Sequence, residues 1–229
     1  ALAQCIEFLK EPMRTRPFFS LDKSWLWKLG RFGRLGRSLD LIGKFFQQTT
    51  SRHYTQALAT CRDILAAVEV DRLQPMPTVK VTGEFWAQTT EGDGNFNMFR
   101  FLEREGAEVL VEPVATWLLY MLWQVKRGYR DRFGLRGDRN PARHAWRLWR
   151  LSLAERVLKR DYDRFRAALG GTAHAPVCQR QMERLGHPYY NSRSQGGEGH
   201  MEVAKNIHYS TRKLCHMVLS LKPFGCMPS

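Results

Sequence analysis

The chain carries two hydrophobic patterns, and one gives way to the other at about residue 75. Before that point the period is helical. Ala1–Lys10 is amphipathic and predicts a short helix stopped by Pro12 and Pro17. In Tyr54–Val70 the residues Leu58, Cys61, Ile64, Leu65 and Val68 recur at i, i+3 and i+4, which predicts a helix with Cys61 on its apolar face. Gln74-Pro-Met-Pro-Thr78 is a proline-punctuated linker. Beyond it, Val79–Phe85 predicts a strand whose carboxyl end is marked by Gly83 and Glu84. Glu91-Gly-Asp-Gly-Asn95 is a turn. Phe96–Glu105 predicts a helix with Met98, Phe101 and Leu102 on one face, closed by Gly106. Ala107–Val111 predicts a second strand. Strand, helix and strand in this order are the signature of a parallel βαβ unit.

The second half continues in the same style. Pro113 starts a helix, Val114–Lys126, that is apolar nearly all round and is therefore expected to be deeply buried or to lie at an interface. Tyr129–Asn140 reads as a basic loop. Ala142–Leu169 predicts a long arginine-rich helix whose Arg156, Arg160, Arg164, Asp161 and Asp163 form a solvated, ion-paired face, ended by Gly170 and Gly171. A glycine-rich turn, Ser192–His200, opens a helix from Met201 to about His216. Met217–Leu221 then predicts a buried strand, broken by Pro223, which has no N–H for a ladder. The expected architecture is α/β: a parallel sheet with helices on both faces and ligand-bearing loops at the carboxyl ends of its strands. Residues 1–74 form a basic helical segment and residues 75–229 the α/β domain.

Composition narrows the classes. No run of apolar residues is long enough to cross a membrane, and Ala1–Lys10 has no basic region ahead of an apolar stretch. Five widely spaced cysteines argue against a secreted disulfide framework, so a reducing, cytoplasmic setting is expected. The formal net charge is +14, mostly from arginines spread through helices. A basic surface of this kind suits phosphates of nucleic acid, or anionic small molecules such as a CoA thioester. The chain opens on Ala1 and stops three residues after Cys226, which reads as a fragment of a longer protein.

Candidate chemistry centres on that cysteine. Gly225 and the prolines Pro223 and Pro228 set Cys226 at a sharp corner after a strand. By local sequence the thiol reads either as a small buried hydrophobe or as a ligand to a metal or cluster. No CxxC pair accompanies it. His174, Cys178 and His187 match no common zinc spacing. Gly197, Glu198 and Gly199 stand at a helix start, where free N–H groups suit an anion, without the lysine and hydroxyl of a P-loop. Cys61 and Cys215 read as packing residues.

The run Lys222-Pro-Phe-Gly-Cys-Met-Pro-Ser229 resembles the cluster-loop motif of the CoA-substrate-specific enzyme activase and 2-hydroxyacyl-CoA dehydratase superfamily, and more narrowly the dehydratase-like portion of the large activase homologues. Val79-Lys-Val-Thr-Gly-Glu-Phe-Trp86, with Gly106-Ala-Glu-Val-Leu110, is similar to the family's strand, Gly-Glu turn, helix, strand unit. Gly196-Gly-Glu-Gly-His-Met-Glu-Val-Ala-Lys205 is similar to its Gly-Glu helix start. The resemblance spans about residues 70–229. It implies an iron–sulfur cluster, of the 4Fe–4S type, with Cys226 as one ligand and Pro223, Phe224 and Gly225 shaping its loop. It implies cofactor-side roles for Gly83, Glu84, Gly197, Glu198 and Gly199, and low-potential electron transfer in anaerobic metabolism. It implies as partners an actin-like ATPase activase module, in the same chain or a separate subunit, a CoA thioester, and a second copy of the chain. No actin-like phosphate loop occurs here, so ATP hydrolysis is not assigned to this sequence. Cys178 and Cys5 are the remaining candidate cluster ligands.

A different class stays open beside it. Trp25, Trp27, Phe32, Phe45 and Phe46 interleave with Lys23, Lys28, Arg31, Arg34, Arg37 and Lys44, as in a nucleic-acid-binding module. The reading preferred for this segment is a helix pair whose aromatic residues pack inward while the cations stay wet.

Overall fold

The computed structural model describes residues 1–15, 43, 45–46, 49–71, 73–90, 92–135, 140–194 and 197–222. They belong to two compact units, one drawn from residues 1–70 and 159–173, the other from 71–158 and 174–229. No described helix is long and apolar enough to cross a membrane.

In the first unit, helix α1 (Leu2–Thr15) packs on α2 (His53–Ala66). Cys5 and Cys61 are buried at their contact, and each thiol points to the other's backbone carbonyl, at 3.8 and 3.6 Å. Pro12 does not stop α1 as expected: it stands inside the helix. A proline removes the hydrogen bond that its own N–H would give and crowds the carbonyl four residues earlier, yet the packed Cys5 side of α1 is retained. Phe45 and Phe46, expected to face inward, are exposed. Trp25 to Arg37 lie outside the described residues.

The second unit is built on a three-stranded sheet in the order β2-β1-β3. Its strands are β1 (Thr78–Gly83), β2 (Glu108–Leu110) and β3 (Met217–Leu221), and both pairs are parallel. The α/β architecture read from the sequence is the observed one. Side chains alternate across a strand, so β1 shows two faces. Val79 and Val81 point to one, where Met98, Phe99, Leu102, Ala107, Val109, Leu219 and Leu221 complete an apolar core. Lys80 and Thr82 point to the other and are equally buried.

The connections depart from the predicted bounds for local reasons. β1 ends at Gly83, where φ is +114°, and Phe85 opens a short helix α3 (Phe85–Thr89) instead of extending the strand. Phe96 and Asn97 both adopt left-handed backbone, at φ of 58° and 55°, so α4 begins late, at Met98–Arg104. In α4, Leu102 is buried and Met98 and Phe99 face the core, whereas Phe101, predicted to join them, is 55% exposed. Helix α5 (Val114–Arg132) runs through Tyr129–Arg132, which the sequence assigned to a loop. It buries one side, through Ala115, Thr116, Leu119 and Tyr120, while Leu118, Met121 and Val125 face outward. The long helix α6 (Pro141–Ala168) ends at Gly170 and Gly171, both with positive φ, and contributes to both units. Its Arg164 is not merely solvated: the guanidinium donates to the carbonyls of Thr49 and Ser51 and pairs with Asp161 at 3.1 Å. A helix absent from the predicted set, α7 (Gln179–Gly186), packs on α8 (Gly199–Thr211). α8 stops before the expected His216 because Lys213 turns left-handed, at φ of 53°. His216 is then free to donate its N–H to the Thr78 carbonyl at 2.8 Å and begin β3.

Candidate functional site

Parallel pairing puts the carboxyl ends of β1 and β3 side by side: Gly83 pairs with Leu221, and the Glu84 N–H donates to the Leu221 carbonyl at 3.1 Å. Gly83 is required there. A Cβ at this position would lie 2.0 Å from the Leu221 oxygen. The Gln88 amide, from α3, donates to the Gly83 carbonyl at 2.9 Å and closes the strand end.

On the polar face of the sheet, α8 supplies a charged stripe. Glu198, Glu202, Lys205 and Tyr209 follow one another at four-, three- and four-residue steps, which is one side of a helix. This side turns inward. Glu202 and Lys205 are each 2% exposed. Glu202 Oε1 accepts from the Ser220 hydroxyl and lies 3.3 Å from Lys222 Nζ. Tyr209 donates its hydroxyl to Glu112 Oε1, and Thr116 donates to Glu112 Oε2 at 3.0 Å. Lys80 Nζ stands 3.6 Å from Glu112 Oε1 and 5.0 Å from the centre of the Tyr209 ring.

Burial governs the protonation of this cluster, since low dielectric penalises the charged form. It lowers the Lys80 ammonium to about 8 against the pull of Glu112, and it lowers Lys205 despite three surrounding carboxylates, Glu112, Glu198 and Glu202. For Glu112, burial acts upward, but the charges of Lys80 and Lys205 and the hydrogen bonds from Tyr209 and Thr116 together hold the carboxyl below its ordinary range. Glu198 goes the other way: burial, with Glu84 adding repulsion, raises it to about 7 against the opposing Lys205. Its Oε2 is buried without a hydrogen-bond partner. The Glu198 side chain borders a cavity of about 10 Å³, room for about one water, that Gln88, Glu112, Thr116, Trp117 and Lys205 also line. Behind it His200 is 1% exposed, stacked on Trp123 at 5.9 Å, with neither ring nitrogen hydrogen-bonded; burial, then Arg127 and His187, lowers it to about 4.

Of the residues singled out in the sequence, Gly83, Glu84 and Glu198 come to this edge. Glu84 and Glu198 are close enough to interact electrostatically. Gly199 is buried, and a Cβ there would lie 2.9 Å from the Tyr190 ring. Gly197 is exposed, with φ of 158°. Pro223, Phe224, Gly225 and Cys226 lie outside the described residues, immediately after Lys222. The sequence reading missed Lys80, Glu112, Lys205, Tyr209 and Glu202. Their signal was present in the α8 stripe and in the Val-Lys-Val-Thr alternation of β1.

The described cysteines do not make a cluster site. Cys5 and Cys61 engage each other in the first unit, Cys178 caps α7 at the surface, and Cys215 precedes the amino end of β3. Among the described residues, no group of three His, Cys, Asp or Glu side chains is arranged to hold a metal. Set against family models, curated proteins and solved structures, the chain matches none.

Proposed function

We propose that the α/β unit serves the chemistry of the activase and 2-hydroxyacyl-CoA dehydratase superfamily: it handles an anionic, thioester-type ligand at the carboxyl edge of its sheet, with Cys226 as one thiolate of an iron–sulfur cluster used in low-potential electron transfer. The supporting observation is the pairing of Leu221 with Gly83. Lys222, the first residue of the Lys222-Pro-Phe-Gly-Cys-Met-Pro-Ser229 run, therefore follows the strand end at the edge that carries Glu84, Glu198 and Lys205. Open α/β sheets take their ligands outside the carboxyl ends of the strands.

The described thiols do not complete a cluster, which needs several thiolates. Cys226 is the one further cysteine of the sequence, so in this reading the other ligands come from outside these 229 residues. The chain's own contribution is electrostatic. Glu198, whose carboxyl burial raises to about 7, can hold a proton and donate it to an oxygen of a bound ligand. Lys205 is buried, where water is scarce and its pull on an anion is strengthened, and the exposed Lys222 adds positive charge from the surface. An actin-like ATPase module, in the same chain or a separate subunit, supplies the electron in this reading, in a cytoplasmic setting.

The test is to purify the full-length protein without oxygen beside its Cys226→Ser variant and to measure iron, sulfide and visible absorption. A brown protein that loses its cluster in the variant supports the reading. A wild type that stays colourless after reconstitution overturns it, and salt-dependent binding to RNA or DNA would then favour the nucleic-acid module.

A further inference from the structure

We propose that the outer stripe of α4 and the turn before it, formed by Phe96, Arg100, Phe101 and Arg104, is a docking surface for an acidic protein segment that seats an apolar side chain between the two phenylalanines. The proposal stands apart from the ligand edge and does not depend on it.

The backbone is the first observation. Phe96 and Asn97 are consecutive left-handed residues, and a bulky residue in that region is an outlier. The main chain builds the turn: Phe96 N–H donates to the Asp93 carbonyl at 3.3 Å and Asn97 N–H to the Gly92 carbonyl at 2.7 Å. A glycine would make the same turn without the steric cost. The Phe96 ring gains little inside the protein in return. It is 75% exposed and touches Trp86 only edge-on, at 6.5 Å between centroids. Strain retained for an exposed ring points to a use outside the chain.

The helix is the second observation. Met98, Phe99 and Leu102 seat α4 on the sheet, so the opposite side should be polar. Instead Phe101 lies on that side, between Arg100 and Arg104. A cleft of about 670 Å³ runs along the stripe, with Glu105 as its single carboxylate against two guanidinium groups. Aromatic and arginine side chains are the types that dominate binding energy at interfaces. The positive rim, on a chain of net charge +14, selects an acidic partner and speeds its encounter.

The probe is a fluorescein-labelled synthetic peptide with a central Leu-Phe pair flanked by aspartates, titrated with the full chain and followed by anisotropy. Its counterpart carries lysines in place of the aspartates. The wild type should bind the acidic peptide at least about tenfold more tightly than the basic one, and Arg100→Glu with Arg104→Glu should reverse the preference. Phe96→Gly should weaken acidic-peptide binding about tenfold or more while its melting temperature stays equal or rises. Equal binding of both peptides by the wild type, or unchanged binding by Phe96→Gly, overturns the proposal. So does self-association of the wild type that Phe96→Gly abolishes, since the occupant would then be a second copy.

Discussion

Lys80 and Glu112 meet inside the protein with Nζ 3.6 Å from Oε1 and side-chain exposures of 0% and 4%. Taking two charges from water is costly, and the pair is sustained because Tyr209 and Thr116 fill the remaining sites on the carboxylate. Breaking such a pair costs more than replacing it. Glu112→Ala should destabilise the protein by about 3–5 kcal/mol in urea unfolding, and adding Lys80→Met to Glu112→Leu should recover much of that loss. A double variant as unstable as Glu112→Ala alone would contradict this account of the pair.

Two buried groups oppose each other in mildly acidic solution. Glu198 is raised from 4.5 to about 7, so its native state favours the proton, and its contribution to stability is lost as pH rises through that interval. His200 is lowered from 6.5 to about 4, so its unfolded state binds the extra proton, and its contribution is gained as pH rises through that interval. Between the ordinary carboxylate and imidazole values the slopes partly cancel. Glu198→Gln should therefore make stability climb more steeply with pH in that window, and His200→Gln should make it fall. Thermal melts across the window read both slopes, and two variants with parallel profiles would refute the assignment.

Gly83 joins the two strand ends that form the candidate edge. Gly83→Ala adds a methyl group in collision with the Leu221 oxygen and forces a φ of +114° on a side-chain-bearing residue. A loss of about 3 kcal/mol or more is expected from strain and overlap together. Circular-dichroism melts measure it, and a variant as stable as the wild type would show that the β1–β3 pairing is looser than described.

Thiol reactivity should follow burial. Cys178 is exposed, whereas Cys5 and Cys61 are buried against each other, and burial pushes the Cys61 thiol up, away from the reactive thiolate. Timed alkylation followed by peptide mass spectrometry should label Cys178 well before either of the other two, with Cys5 and Cys61 reacting only on unfolding.

The sequence by itself determined the parallel sheet. Val79, Val81, Leu219 and Leu221 fall on one face by simple alternation, and Gly106, Gly170 and Gly171 end their helices where a left-handed residue is needed. It also marked Gly83, Glu84 and Glu198 by their glycine contexts. Tertiary structure alone decided that the second sheet face is both charged and buried. In one dimension Lys80, Glu202 and Lys205 are indistinguishable from solvated residues, because polar alternation is the same whether water or an opposite charge lies beyond it. Only the packing of α8 across the sheet brings Glu202, Lys205 and Tyr209 against Lys80, Glu112 and Ser220 in place of water. Phe101 is the converse case. Its spacing allowed a place in the core, and the left-handed turn at Phe96 and Asn97 set the start of α4 so that Met98, Phe99 and Leu102 took the inner face and Phe101 the outer.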